Sequence, residues 1–166
     1  MGYSGGGADR AAAHAGTQVR GVNAAFGALR RSMQLVDGAM KAYDPLKSPN
    51  PEEWLAMDEQ ERLHLVERFH RRAGIRLPNV EAHAVAHVMV ENQVALGDGL
   101  PVKRTVQRLM SEGLDRHDAI HAVGSVLVGY LNDLLAAPEA AIGTDPAAGY
   151  YAELEQLTAK SWLSSG

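Results

Sequence analysis

The chain has no cysteine among its 166 residues. No disulfide can hold it, and zinc or iron–sulfur sites built on thiolates are excluded. It also lacks an unbroken run of 18 or more apolar residues, so no transmembrane helix is expected. Its 16 Lys and Arg are outnumbered by 20 Asp and Glu, for a net charge of −4. That balance argues against a nucleic-acid binder working through a general basic field. The one basic cluster, Arg68 to Arg76, is interrupted and falls at a predicted helix end, where it complements the helix dipole. Strand signals are missing: there is no period-two alternation and no hairpin turn. Residues 1–18 lack the apolar segment of a secretory signal and read as a glycine-rich, flexible leader. The expectation is an all-α, cytoplasmic protein that does not engage a membrane.

What is present supports one helical domain over residues 19–166. Apolar residues make up 46% of the chain, enough for a core. Val22, Phe26, Leu29, Met33, Val36 and Met40 follow one another at steps of three and four, which predicts an N-terminal helix over 19–43. That helix packs on the body or on a second copy, so a homo-oligomer is one expectation. Pro45, Pro49 and Pro51 end it. Asn50 before Pro51 predicts a short helix near 51–56, and Asp58 a longer one at 58–73, whose apolar side is given by Leu55, Leu63, Val66 and Phe69. Asn79 opens a helix over 80–96, Pro101 one over 101–112 with Val102, Val106, Leu109 and Met110 inward, and Asp115 one over 116–136. Tyr150 to Leu163 reads as a final helix. The expected architecture is a compact bundle of five or six helices, with an antiparallel pairing of 80–96 and 116–136 at its centre.

The chemistry concentrates in a histidine-rich core over residues 50–136. His83, His87 and Glu91 follow at four-residue steps, and so do His117 and His121. Residues four apart share a helix face, with Cβ atoms about 5–6 Å apart. Both imidazoles of a pair can therefore reach one metal ion, or two neighbouring ions. A polar seam of histidines bonded to backbone or water is the alternative use of the same residues. His70 ends the preceding helix, where it either folds over the site as an additional ligand or faces the helix dipole. His64 reads as exposed, and His14 lies in the leader.

Four imidazoles and a carboxylate make a nitrogen-rich site that suits Zn, Fe, Ni or Cu rather than Mg or Ca. The zincin H-E-x-x-H pattern is absent, since Ala84 follows His83 and Asp118 follows His117. A carboxylate-bridged di-iron site needs several E-x-x-H pairs, and only Glu67 and His70 supply one. A two-histidine, one-carboxylate iron site is a further arrangement. The candidate metal ligands are His70, His83, His87, Glu91, His117 and His121.

The run His83, His87, Glu91, Asn92 and Gln93, then the helix start at Pro101, then His117-Asp118-Ala119-Ile120-His121, resembles the bacterial domain-of-unknown-function family eighteen forty-one. The resemblance covers roughly residues 50–136. Asp118 stands where that family usually has glutamate, and Asn92 alters the acidic neighbourhood of Gln93. The resemblance implies an all-helical, histidine-rich domain and no particular reaction.

Three functions follow from these residues: a metal-dependent enzyme, a structural or sensory metal-binding module, and a helical self-association protein without metal. The mix of imidazoles with a carboxylate favours the first by a narrow margin, with an open coordination position near Glu91 and His121.

Overall fold

Side-chain caps set most of the helix starts. Asn50 accepts from the backbone N–H of Glu52 and Glu53 and begins α1, Pro51–Ala56. Asp58 accepts from Gln60 and begins α2, Glu59–Arg72. Asn79 does the same for α3, Val80–Ala95, and Asp115 for α5, Arg116–Ala136. Each cap satisfies N–H groups that a helix start otherwise leaves without partners. Pro101 precedes α4, Val102–Ser111, after a 3₁₀ turn at Gly97–Gly99. Gly74 and Gly113 close α2 and α4 with φ of 68° and 111°, a region that favours glycine. The structure, a computed structural model, describes Met40, residues 42–138, Asp145 and residues 147–165. Among them are seven α-helices and no strand.

The C-terminal region departs from expectation. The single helix expected over 150–163 is two, α6 at Ala148–Gln156 and α7 at Ala159–Ser164. The break has identifiable causes. Arg108 on α4 donates to the carbonyls of Leu154 and Leu157, at 2.9 and 2.7 Å. Glu112 accepts from the Ala159 N–H at 2.7 Å. Thr158 and Ser161 then form a reciprocal capping box for α7. The backbone groups a continuous helix would have paired internally are taken from outside. This split raises the helix number above the five or six expected. The expected helix over 19–43 lies outside the described residues except at its end, where Met40, Ala42 and Tyr43 are not helical.

Two apolar cores flank α3. One joins Tyr43, Trp54, Met57, Leu65 and Val66 to Ala84 and Val88. The other joins Val90 to Val102, Val106, Leu109, Ile120, Val123, Leu127, Tyr150 and Leu154. Helix α3 is thus apolar on two sides, and its histidines occupy the seam between the cores. Met110 and Leu55, expected inside, are 41% and 40% exposed; Trp54 and Leu65 are buried instead. Helices α3 and α5 run antiparallel, because His83 meets His121 while Glu91, two turns later, meets Arg116. By mean hydropathy and length α5 is long and apolar enough to cross a membrane, although no unbroken apolar run marks it. In this fold its first half is core: Ala119, Ile120, Ala122, Val123 and Gly124 are buried.

Candidate metal centre

The helix geometry brings five imidazoles to one point. His70 sits in the last turn of α2, His83 and His87 on successive turns of α3, and His117 and His121 on the first turns of α5. One ring nitrogen from each lies within 4.8 Å of every other. The Nε2 atoms form a chain: His117 to His70 at 3.3 Å, His70 to His83 at 3.1 Å, His83 to His121 at 3.3 Å, His121 to His87 at 2.9 Å. With metal–nitrogen bonds of about 2.1 Å, ligands at right angles lie about 3.0 Å apart and opposed ligands about 4.2 Å. The cluster has close to the dimensions of a single coordination sphere.

The two buried rings have their protons fixed on the far side. His70 Nδ1 lies 2.9 Å from the Val66 carbonyl, which can only accept, so Nδ1 carries the hydrogen. The Tyr43 hydroxyl donates to Glu91 Oε1 at 2.7 Å, so its oxygen accepts from His87 Nδ1 at 3.2 Å. Neutral imidazole with hydrogen on Nδ1 presents a lone pair at Nε2. Both buried rings therefore aim a lone pair into the cluster. His70 Nε2 has two imidazole nitrogens within 3.3 Å but one in-plane lone pair, so a seam of ring-to-ring hydrogen bonds leaves a neighbour without a good acceptor.

Burial favours the neutral form of four of the rings, His83, His87, His117 and His121. Burial, followed by the neighbouring His70 and His121, lowers His83 to about 4. Burial, then His117 and His70, lowers His121 to about 4 against the opposing pull of Asp118 and Asp115. His87 and His117 are also lowered, with burial again the first cause. Neutral imidazole is the form that binds metal.

Glu91 does not join the nitrogens. It is buried, and Arg116 grips it with two hydrogen bonds, Nη1 to Oε1 at 2.8 Å and Nη2 to Oε2 at 2.7 Å. Arg116 also donates to the Pro45 carbonyl at 2.9 Å. Burial would lower the Arg116 pKa, but the bonds and charge of Glu91 outweigh it and raise it. Tyr43 is raised well above its usual value by burial and then by Glu91. The four-residue step from His87 does carry Glu91 towards α5, but at that level the partner is an arginine. Glu91 is linked to the cluster at one remove, through Tyr43 and His87.

Sequence reasoning missed Arg116 and Tyr43. The position of Arg116 directly after the Asp115 cap, facing the third residue of the α3 stripe, was the available signal. Tyr43 carries no such signal, since it stands at the end of the expected helix over 19–43. His64 is exposed, as expected. Asn92 accepts from Trp54 Nε1 at 2.9 Å and Arg62 Nη1 at 2.7 Å, tying α1 and α2 to α3. Glu91 and Arg116 also line a hollow of about 350 Å³ with Leu46, Pro49, Val94 and Met110, and none of the five histidines borders it. That hollow is therefore not an approach to the nitrogens. Compared with known protein families, curated proteins and solved structures, the chain matches none.

Proposed function

We propose that His70, His83, His87, His117 and His121 hold one transition-metal ion and that this centre is the working part of the protein. The observation that carries the proposal is the convergence of five ring nitrogens within 4.8 Å, with two lone pairs fixed inward by bonds on the opposite ring nitrogen. Imidazole donors suit Zn, Fe, Ni and Cu. Five donors exceed the four that a closed zinc site uses, which favours an ion accepting five or six. Membership of family eighteen forty-one, on the histidine spacing above, belongs to the same proposal.

The test is elemental analysis of untagged protein purified without chelator, with about one transition-metal ion per chain expected. Protein free of metal that also fails to take up Ni, Fe, Cu or Zn in solution contradicts the reading.

We read the centre as a site of metal-dependent chemistry in preference to a staple, because two apolar cores organise the helices without it. The structural alternative has one observation in its favour. The donors come from α2, α3 and α5, so an ion would pin three helices together. Thermal unfolding with and without metal separates the two. A staple makes the chelated protein lose its cooperative transition, whereas a reactive centre leaves a folded apo-protein.

A further inference from the structure

We infer that the metal centre takes a small anion as its exogenous ligand, bound directly to the ion on the side bounded by His83, His117 and His121. The inference rests on the metal reading above and adds the class of ligand.

Charge is the first ground. All five proposed ligands are neutral when they coordinate. The buried carboxylate next to them, Glu91, is already neutralised by its bidentate pair with Arg116. Tyr43 uses its hydrogen on Glu91 and is not available as a phenolate. The acidic groups that act on the rings are Asp115 and Asp118, at the start of α5. Asp115 is exposed and its Oδ1 caps the Asp118 N–H at 2.8 Å. Neither carboxylate belongs to the group of donors that converge. Among the described residues no anionic donor joins the cage, so a divalent ion held there would keep both its charges. A partly buried charge left without a counter-charge is unfavourable, so an anion from solvent is favoured over a neutral ligand.

Coordination and access are the second ground. On a six-coordinate ion the five nitrogens would leave one position for water or another ligand. His70 and His87 are buried, at 1% and 2% exposure, while His83, His117 and His121 are half-buried. Those three rings mark the solvent side of the cluster. On the α2 side Phe69 stands edge-on to both His70 and His117, with ring centres at 5.2 and 5.8 Å. Imidazole rings and a phenyl edge crowd this side of the cluster, which suits a ligand of one to a few atoms, such as hydroxide, a halide or a pseudohalide.

The experiment uses the whole wild-type chain loaded with cobalt(II), whose optical and EPR spectra report each ligand change. Loading is measured first, then azide and imidazole are titrated separately. The expected result is one cobalt per chain, a saturable spectral change with azide, and azide binding roughly tenfold or more tightly than neutral, larger imidazole. Failure to load cobalt overturns the metal reading and this inference together. Stoichiometric cobalt with a spectrum unmoved by azide, or with imidazole binding as tightly, overturns the anion inference alone and leaves the metal reading intact.

Discussion

Two buried polar assemblies lie side by side between α3 and α5, and they differ in how their bonding is completed. In the Glu91, Arg116 and Tyr43 assembly every contact joins a donor to an acceptor: both carboxylate oxygens, both terminal guanidinium nitrogens and the phenol are engaged. In the imidazole cluster the contacts join ring nitrogen to ring nitrogen, at 2.9–3.3 Å. Buried polar groups are ordinarily satisfied. The first assembly is complete with protein groups alone and serves the fold. The second gains a complete set of partners when a cation is added, so function falls to the histidines and structure to the carboxylate.

The largest effect is expected from mutation of the imidazole cluster. His87→Ala together with His121→Ala removes two of the five donors and is expected to abolish stoichiometric metal binding, read by calorimetric titration. Unchanged affinity would place the metal elsewhere. The next effect belongs to the other assembly. Arg116→Ala leaves Glu91 buried without its partner, and a cost of about 3–5 kcal/mol is expected in denaturant unfolding. Replacing the pair together by apolar residues of similar volume is expected to cost much less.

Tyr43→Phe tests the link between the two assemblies. It keeps the ring but removes the hydroxyl that orients His87. A loss of about 10–100-fold in metal affinity is expected, with the fold retained. Affinity at the wild-type level would reduce Tyr43 to a packing role.

The pH dependence follows from the lowered imidazoles. Their pKa in the unfolded chain is about 6.5 and His83 and His121 fall to about 4 on folding. Between these values the unfolded apo-protein binds more protons than the folded one. Apo stability is therefore expected in full above about pH 6.5 and to be lost progressively as pH falls towards 4. Metal binding should weaken in the same direction, as protons compete for the nitrogens. Apo stability that stays flat from pH 7 to 4 would contradict the burial of neutral rings. The smallest effect is Gly124→Ala. A Cβ there would meet Ala86 and Val90 at 3.9 Å, ordinary contact, so the helix gains up to about 1 kcal/mol and the cluster is unaffected. A destabilised variant would show that α3 and α5 need that glycine for close approach.

Much of the fold is legible because helix starts are local. Asn50, Asp58, Asn79 and Asp115 cap the helices that their sequences announce. The four-residue histidine steps are legible for the same reason. What depends on tertiary partners is not. Helices α6 and α7 separate because Arg108 and Glu112, more than 40 residues earlier, take their backbone groups. Trp54 and Leu55 are neighbours on a short helix, and only the packing of α1 on α3 decides which is buried. Glu91 has the same spacing from His87 as His87 has from His83, and its ion pair appears only when α5 sets Arg116 opposite. His70 is the converse case: it stands alone in sequence, and the crossing of α2 over α3 makes it a member of the cluster.

The most direct measurement is X-ray absorption spectroscopy on protein carrying one bound metal ion per chain. A first shell dominated by nitrogen at about 2.1 Å is expected, with the outer-shell scattering of four to five imidazoles. A first shell of mainly carboxylate oxygen, or of no more than two imidazoles, would contradict it.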